Sequence, residues 1–142
     1  MIAYIDTSVL LKLFVVDEPG ADAVERLWLG ADRVTCAEIG YAEARAALAA
    51  MRRARRLDAR ALRSARDELD SLWEQLDVVV IDTALVRAAG DLAEAEGLRG
   101  YDAVHLAAAI VVGATILASA DTDLVAAATR RGFNVANPII DP

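Results

Sequence analysis

At 142 residues the chain has the size of one domain and enough length to bury a real hydrophobic core. A hydrophobic share of 56% with a formal charge of −7 argues against a nucleic-acid binder working by blanket electrostatic attraction, but leaves room for an acidic site neutralised by metal ions. One cysteine, Cys36, excludes an intrachain disulfide and fits a reducing cytoplasm.

Met1–Ile5 is a short apolar run ending at Asp6 and predicts a buried first strand. The absence of a basic lead-in, and the interruption at Asp6, argue against a secretory signal. Thr7–Val15 predicts a helix with Leu10, Leu11 and Phe14 on its apolar face. Pro19 is expected to open a second helix to about Leu29, with Gly30 as its stop. Arg33–Cys36 reads as a strand, and the alanine-rich stretch from there to Met51 as a helix. Asp58 can cap a further helix to Leu76, and the β-branched Val78–Ile81 predicts a strand. Thr83–Glu96 is amphipathic and ends at Gly97, a standard stop signal. Helix Asp102–Val112, strand Thr115–Ala118, helix Asp123–Arg130 and strand Phe133–Ala136 complete the pattern. The stretch Ala103–Ala120 has the length of a membrane span, but Gly113 divides it into helix and strand. Apolar strands alternating with helices imply an α/β layer fold, its mainly parallel central sheet covered by helices on both faces, as a single domain over residues 1–142.

Sites in such folds form beyond the carboxyl ends of the strands, where Asp6, Asp82 and Asp121 stand. Each of them alone reads best as a helix cap. Asp6 is followed by the hydroxyls of Thr7 and Ser8, and Asp121 has a second acid, Asp123, two residues on, whereas Asp82 leads into an ordinary amphipathic helix and stays a cap. Glu43 lies within an alanine-rich helix, with Glu38 falling on a different side, and Asp102 lies at a helix start. Singly, a salt bridge from Glu43 to Arg45 or a neighbour and a cap at Asp102 account for them. Taken together, converging carboxylates would repel one another and take up protons unless cations lay between them. An all-oxygen donor set suits Mg²⁺ or Mn²⁺ and not zinc, and such clusters serve phosphoryl chemistry.

The segments Ile5-Asp6-Thr7-Ser8, Glu43-Ala44-Arg45-Ala46-Ala47-Leu48, Gly100-Tyr101-Asp102-Ala103-Val104-His105-Leu106-Ala107 and Ala120-Asp121-Thr122-Asp123-Leu124 occur in an order that resembles the PIN-domain family. The resemblance is strongest to the VapC-type toxins of toxin–antitoxin pairs and runs from Met1 to about Pro138. It implies a three-layer PIN-like fold and a metal-dependent endoribonuclease that cleaves single-stranded or looped RNA through metal-activated water. It also implies Mg²⁺ or Mn²⁺ at Asp6, Glu43, Asp102 and Asp121, with Asp123 and Ser8 as further candidates. A VapB-type antitoxin that covers the site, a homodimer and a cytoplasmic location follow from the same resemblance. His105, among apolar neighbours, reads as a core histidine in preference to a general base.

Two other readings compete: a catalytically inactive PIN-fold interaction module, and a phosphatase-like enzyme with a carboxylate nucleophile. The latter lacks a second aspartate two residues after Asp6, and the only lysine is Lys12. Trp28 and Trp73 sit on amphipathic helices and read as core or dimer contacts. Arg52, Arg53, Arg55, Arg56, Arg60, Arg63 and Arg66 form either a solvated face paired with Asp67 and Glu68, or a rim that guides phosphates or docks an acidic partner. Neutralising Arg52, Arg53, Arg55 and Arg56 together is expected to weaken RNA binding and flatten its salt dependence; unchanged binding and slope would reduce the patch to plain surface.

Overall fold

Five apolar runs become the strands β1 (Ile2–Ile5), β2 (Arg33–Ala37), β3 (Asp77–Val79), β4 (Ile116–Ala118) and β5 (Asn134–Ala136) of a computed structural model describing residues 1–15 and 18–140. They pair in the order β3-β2-β1-β4-β5, every pair parallel, with Ile5 opposite Ala118 and Tyr4 opposite Thr35. Residues Ala3, Tyr4 and Ile5 of the central strand are buried, as a strand covered on both faces requires.

Helices α1 (Thr7–Leu10), α2 (Ala21–Gly30), α3 (Ile39–Arg53) and α4 (Ala59–Trp73) cover one face. There Val9, Leu10, Leu48 and Leu69 pack with Ile5 and Cys36. Helices α5 (Thr83–Glu96), α6 (Gly100–Val111) and α7 (Thr122–Arg130) cover the other, where Leu85, Leu106 and Leu124 pack with Tyr4 and Leu117. Connections from β1 out to β3 therefore use one face, and those from β3 back to β4 and β5 use the opposite one. Strand order reverses between β1 and β4, and the chain leaves these two strand ends toward opposite layers. That divergence opens a crevice at their carboxyl ends.

Several boundaries differ from expectation. The helix predicted over Thr7–Val15 is one α turn followed by a 3₁₀ turn at Leu11–Leu13, after which Phe14 leaves helical geometry and packs with Val15 into the core. The tighter turn seats Lys12, which is buried and pairs with Glu18 at 3.5 Å. Pro19 precedes α2 and does not open it. Gly20, at φ 83°, takes the cap, where the nearby Pro138 carbonyl leaves no room for a Cβ. Gly30 is the last residue of α2, and Ala31 is its cap. Helix α4 stops at Trp73, short of Leu76, and β3 stops at Val79, leaving Val80 exposed. Asp102 lies inside the first turn of α6, whose cap position belongs to Arg99. Among the described residues no helix is long and apolar enough to cross a membrane, and Gly113, at φ 65°, separates α6 from β4. Trp28 and Trp73 pack against the core, Trp73 edge-on to Tyr41.

The approach of α3 to the sheet depends on Gly40, because a Cβ there would lie 2.5 Å from Cys36 Sγ and 3.6 Å from Thr7 Oγ1. This close contact sets the first turns of α3 beside the end of β1. Gly40→Ala is expected to lower the unfolding free energy by about 1 kcal/mol, crowding outweighing its helix-propensity gain. In a Cys36→Ala background the same change should become neutral or stabilising, as read by urea unfolding. Equal effects in both backgrounds would refute the contact.

Candidate active site

Asp6 and Asp121 occupy the two lips of the crevice. Asp6 ends β1 and caps α1, its Oδ1 accepting the Val9 N–H at 3.1 Å. Asp121 follows β4 and caps α7, its Oδ1 accepting the Leu124 N–H at 3.0 Å. Capping and site placement therefore coincide in the same side chains: divergent helices bring both carboxylates to one opening. Two serines tie the lips together. Ser8 Oγ donates to Asp6 Oδ1 at 2.6 Å and accepts the Ala120 N–H at 3.0 Å. Ser119 Oγ donates to Asp6 Oδ2 at 2.5 Å and accepts the Asp121 N–H at 2.9 Å. Asp6 is only 5% exposed, and desolvation raises its pKa above the ordinary aspartate value despite these donors.

Glu43, half-buried on α3, reaches the same opening from one helix layer. Its Oε1 accepts from Thr7 Oγ1 at 2.9 Å and from His105 Nε2 at 2.7 Å. The His105 bond comes from the other layer, so the pair clasps α3 to α6 over the end of the sheet. Behind it the Tyr4 hydroxyl accepts the Ala37 N–H at 3.0 Å and meets His105 Nδ1 at 2.7 Å. With the phenol proton turned toward Nδ1, the Nε2 proton faces Glu43 and every polar atom in the row has a partner. Desolvation pushes Glu43 up, but the hydrogen bonds from His105 and Thr7 outweigh it and leave its pKa below the usual glutamate value. The predicted Glu43–Arg45 salt bridge does not form: Arg45 instead donates to the Tyr41 hydroxyl at 3.0 Å. His105 is buried in the core as expected, yet it is also a hydrogen-bonding member of the acidic site.

Asp102 enters from the first turn of α6 and is bridged to Asp121 by Arg99. The guanidinium donates from Nε to Asp102 Oδ2 and from Nη2 to Asp121 Oδ2, each at 3.1 Å. Desolvation and then the Asp121 charge raise the Asp102 pKa, with Arg99 opposing them. One hydrogen-bond network thus runs from Asp6 through Ser119 to Asp121 and through Arg99 to Asp102, while a second, through Thr7 and His105, holds Glu43, which lines the same groove as Asp102.

Among the described residues no three acidic, histidine or cysteine side chains already ring one point closely enough to hold an ion. Two of the carboxylates are spent on Arg99, and the others on hydroxyl, amide and imidazole donors. The donor set nevertheless fits a hard divalent cation. Its carboxylate oxygens come from both lips and both layers; burial raises Asp6 and Asp102, and the Asp121 charge adds to the rise at Asp102. The Ser8 hydroxyl is engaged within the network, whereas Asp123 and Glu38 are exposed. Asp82 caps α5 through the Leu85 N–H at 2.8 Å. From Glu43 to Arg52, nine residues along α3, the rise is about 13 Å, so Arg52 and Arg53 of the arginine cluster lie toward the far end of that helix, while Arg60, Arg63 and Arg66 stand on α4. Of that cluster, Arg56 pairs with Glu18 at 3.2 Å; among the described residues none pairs with Asp67 or Glu68. A groove of about 810 Å³ opens beside the site, with Ile39, Ile81, Val86 and Tyr101 along its walls.

Sequence reasoning missed Ser119, Tyr4 and Arg99, and noted Thr7 only as a hydroxyl beside Asp6, not as a partner of Glu43. The hydroxyl of Ser119, two residues before Asp121, was a usable signal; the partners of Tyr4 lie far off in the chain, and Arg99, although three residues from Asp102, gains its bridging role only from Asp121, 22 positions on. The pKa shifts predict a sign. Folded Asp6 and Asp102 keep protons above the ordinary value of 3.8, so with a chelator present their contribution to stability falls as pH rises through and above that value. Glu43 acts oppositely, its contribution being lost as pH falls below its ordinary value of 4.5. Urea unfolding between about pH 4 and about pH 7 should show the decline, and Asp102→Asn should shrink it. A wild-type slope in that variant would remove Asp102 from the cluster.

Comparison with known proteins agrees with this geometry. The PIN domain family model matches residues 3–129. Ribonuclease VapC45 of Mycobacterium tuberculosis (strain CDC 1551 / Oshkosh) is 36% identical over 143 aligned positions, covering 99% of each chain. The crystal structure of M. tuberculosis VapC20, a sarcin–ricin loop cleaving toxin, superposes with a TM-score of 0.68 at 19% identity, over 92% of this chain and 95% of that one. A toxin–antitoxin complex from Klebsiella pneumoniae contains a chain with TM-score 0.67 and 18% identity, covering 96% of this chain and 97% of its own. A site at the switch point of a parallel five-stranded sheet, a full-length relative and a family match over most of the chain lead to one conclusion: this chain belongs to the PIN-domain family, among its VapC-type ribonucleases.

Proposed function

We propose that this protein is an endoribonuclease acting on single-stranded or looped RNA with the help of Mg²⁺ or Mn²⁺, and that it is the toxin of a toxin–antitoxin pair. The observation that carries the reading is the run of hydrogen bonds from Asp6 through Ser119 to Asp121 and through Arg99 to Asp102, with Glu43 lining the same groove as Asp102. Asp6, Asp102 and Asp121 would hold the ion, with Glu43 directly or through water. A divalent cation bound there would neutralise phosphate charge and acidify a water molecule for attack in line with the scissile bond.

The chain's own residues prepare that chemistry. Ser8 and Ser119 aim the two oxygens of Asp6, and Thr7 and His105 fix Glu43, so that carboxylate positions are set by packed elements and not by loose rotamers. The groove beside Asp102 gives a bent RNA strand an apolar wall, and the exposed ring of Tyr101 offers a face for a base. An antitoxin covering the crevice would meet the same groove. The relative VapC45 is named a ribonuclease, which supports the reaction class. We place the protein in the cytoplasm as a homodimer, a location consistent with its single, buried and unpaired cysteine.

Asp6→Asn should abolish RNA cleavage and Mn²⁺ binding while changing the melting temperature little. Sequencing of RNA ends after induction of wild type and variant, with Mn²⁺ titration of both, makes the test. Unimpaired cleavage by Asp6→Asn would overturn the assignment; a wild type that neither binds nor needs Mn²⁺ would point to the non-catalytic interaction module instead.

A further inference from the structure

We infer that Arg99 is a built-in competitor for the cation site, its guanidinium occupying carboxylate oxygens that a divalent ion must take over. The inference rests on the metal-dependent reading of the crevice and adds a residue and a step to it. Nε and Nη2 of Arg99 each lie 3.1 Å from an oxygen, one on Asp102 and one on Asp121, so a single planar group spans both carboxylates. Among the described residues neither carboxylate pairs with any other cation.

Helix formation does not account for an arginine at this position. Arg99 stands at the cap of α6 and makes no side-chain cap hydrogen bond. A cation at a helix N-terminus also opposes the helix dipole, and Ser, Thr, Asp or Asn would serve the cap better. What Arg99 does satisfy is the mutual repulsion of Asp102 and Asp121 across the crevice. Its side chain is 79% exposed, against 14% for Asp102 and 26% for Asp121, so it can swing into solvent without unpacking anything. Its departure frees one oxygen on each carboxylate for another cation.

A site that must first release a guanidinium binds its ion with an apparent affinity reduced by the fraction of time the guanidinium is away. For two exposed contacts, the reduction should be about three- to tenfold. Lysine is the informative control, because its compact ammonium cannot span both carboxylates as a fork does.

The test is calorimetric titration of Mn²⁺, without RNA, into wild type, Arg99→Gln, Arg99→Lys and Asp121→Asn, with melting temperatures measured in chelator and in saturating Mn²⁺. Arg99→Gln is expected to bind Mn²⁺ about three- to tenfold more tightly than wild type, with Arg99→Lys in between. Its melting temperature should fall in chelator and recover fully in Mn²⁺. Equal or weaker Mn²⁺ binding by Arg99→Gln overturns the competitor role while wild-type binding, lost in Asp121→Asn, upholds the cation site. No Mn²⁺ binding by wild type or by Arg99→Gln would remove both.

Discussion

The structure depends first on a carboxylate buried where water cannot reach it well. Asp6 ends the central strand, and an isolated charge there would be costly. Its two oxygens are supplied with donors from Ser8, Val9 and Ser119, which belong to the first helical turn and to the far lip of the crevice. Satisfying this one group therefore links β1, α1 and the exit of β4. The donors do not fully offset the burial, which leaves the Asp6 pKa above the ordinary aspartate value.

Around Asp6 the remaining acids are divided by layer. Glu43 is fixed from behind, through Thr7 and the row of Tyr4 and His105, and these contacts close the two helix layers over the sheet. Asp102 and Asp121 face outward and are held by an exposed arginine. One side of the crevice is thus rigid and built from packed groups, while the other can exchange its cation. The topology makes this possible, because only at a reversal of strand order do consecutive elements leave in opposite directions.

Much of this was legible in the residues. Strand runs such as Val34–Cys36 and Leu117–Ala118 announce themselves because a doubly covered parallel strand tolerates little but apolar side chains. Helix α5 was readable to the residue, with Asp82 capping it and Gly97 in left-handed geometry ending it. Asp6 and Asp121 draw notice because each follows a strand, and Glu43 and Asp102 because each interrupts an apolar helix; the resemblance to the PIN-domain family is what groups the four. Boundaries failed where tertiary contacts decided them: the 3₁₀ turn at Leu11–Leu13 buries Lys12 against Glu18, and the Pro138 carbonyl, more than a hundred positions away, selects Gly20 as a cap. His105 was legible as buried but not as bonded, since Tyr4 and Glu43 lie 101 and 62 positions from it. Arg99 was invisible because its role exists only between two other side chains.

The thiol at the Gly40 contact has a practical consequence. Cys36 is buried against α3, and burial, with the nearby Asp6 and Glu43 charges, drives its pKa far above the normal thiol range. Without a thiolate it is a poor nucleophile toward alkylating reagents. A second cysteine engineered onto the groove rim would then be the sole site taking up a maleimide fluorophore or spin label, and distances across the crevice could be followed during catalysis without first removing the native sulfur.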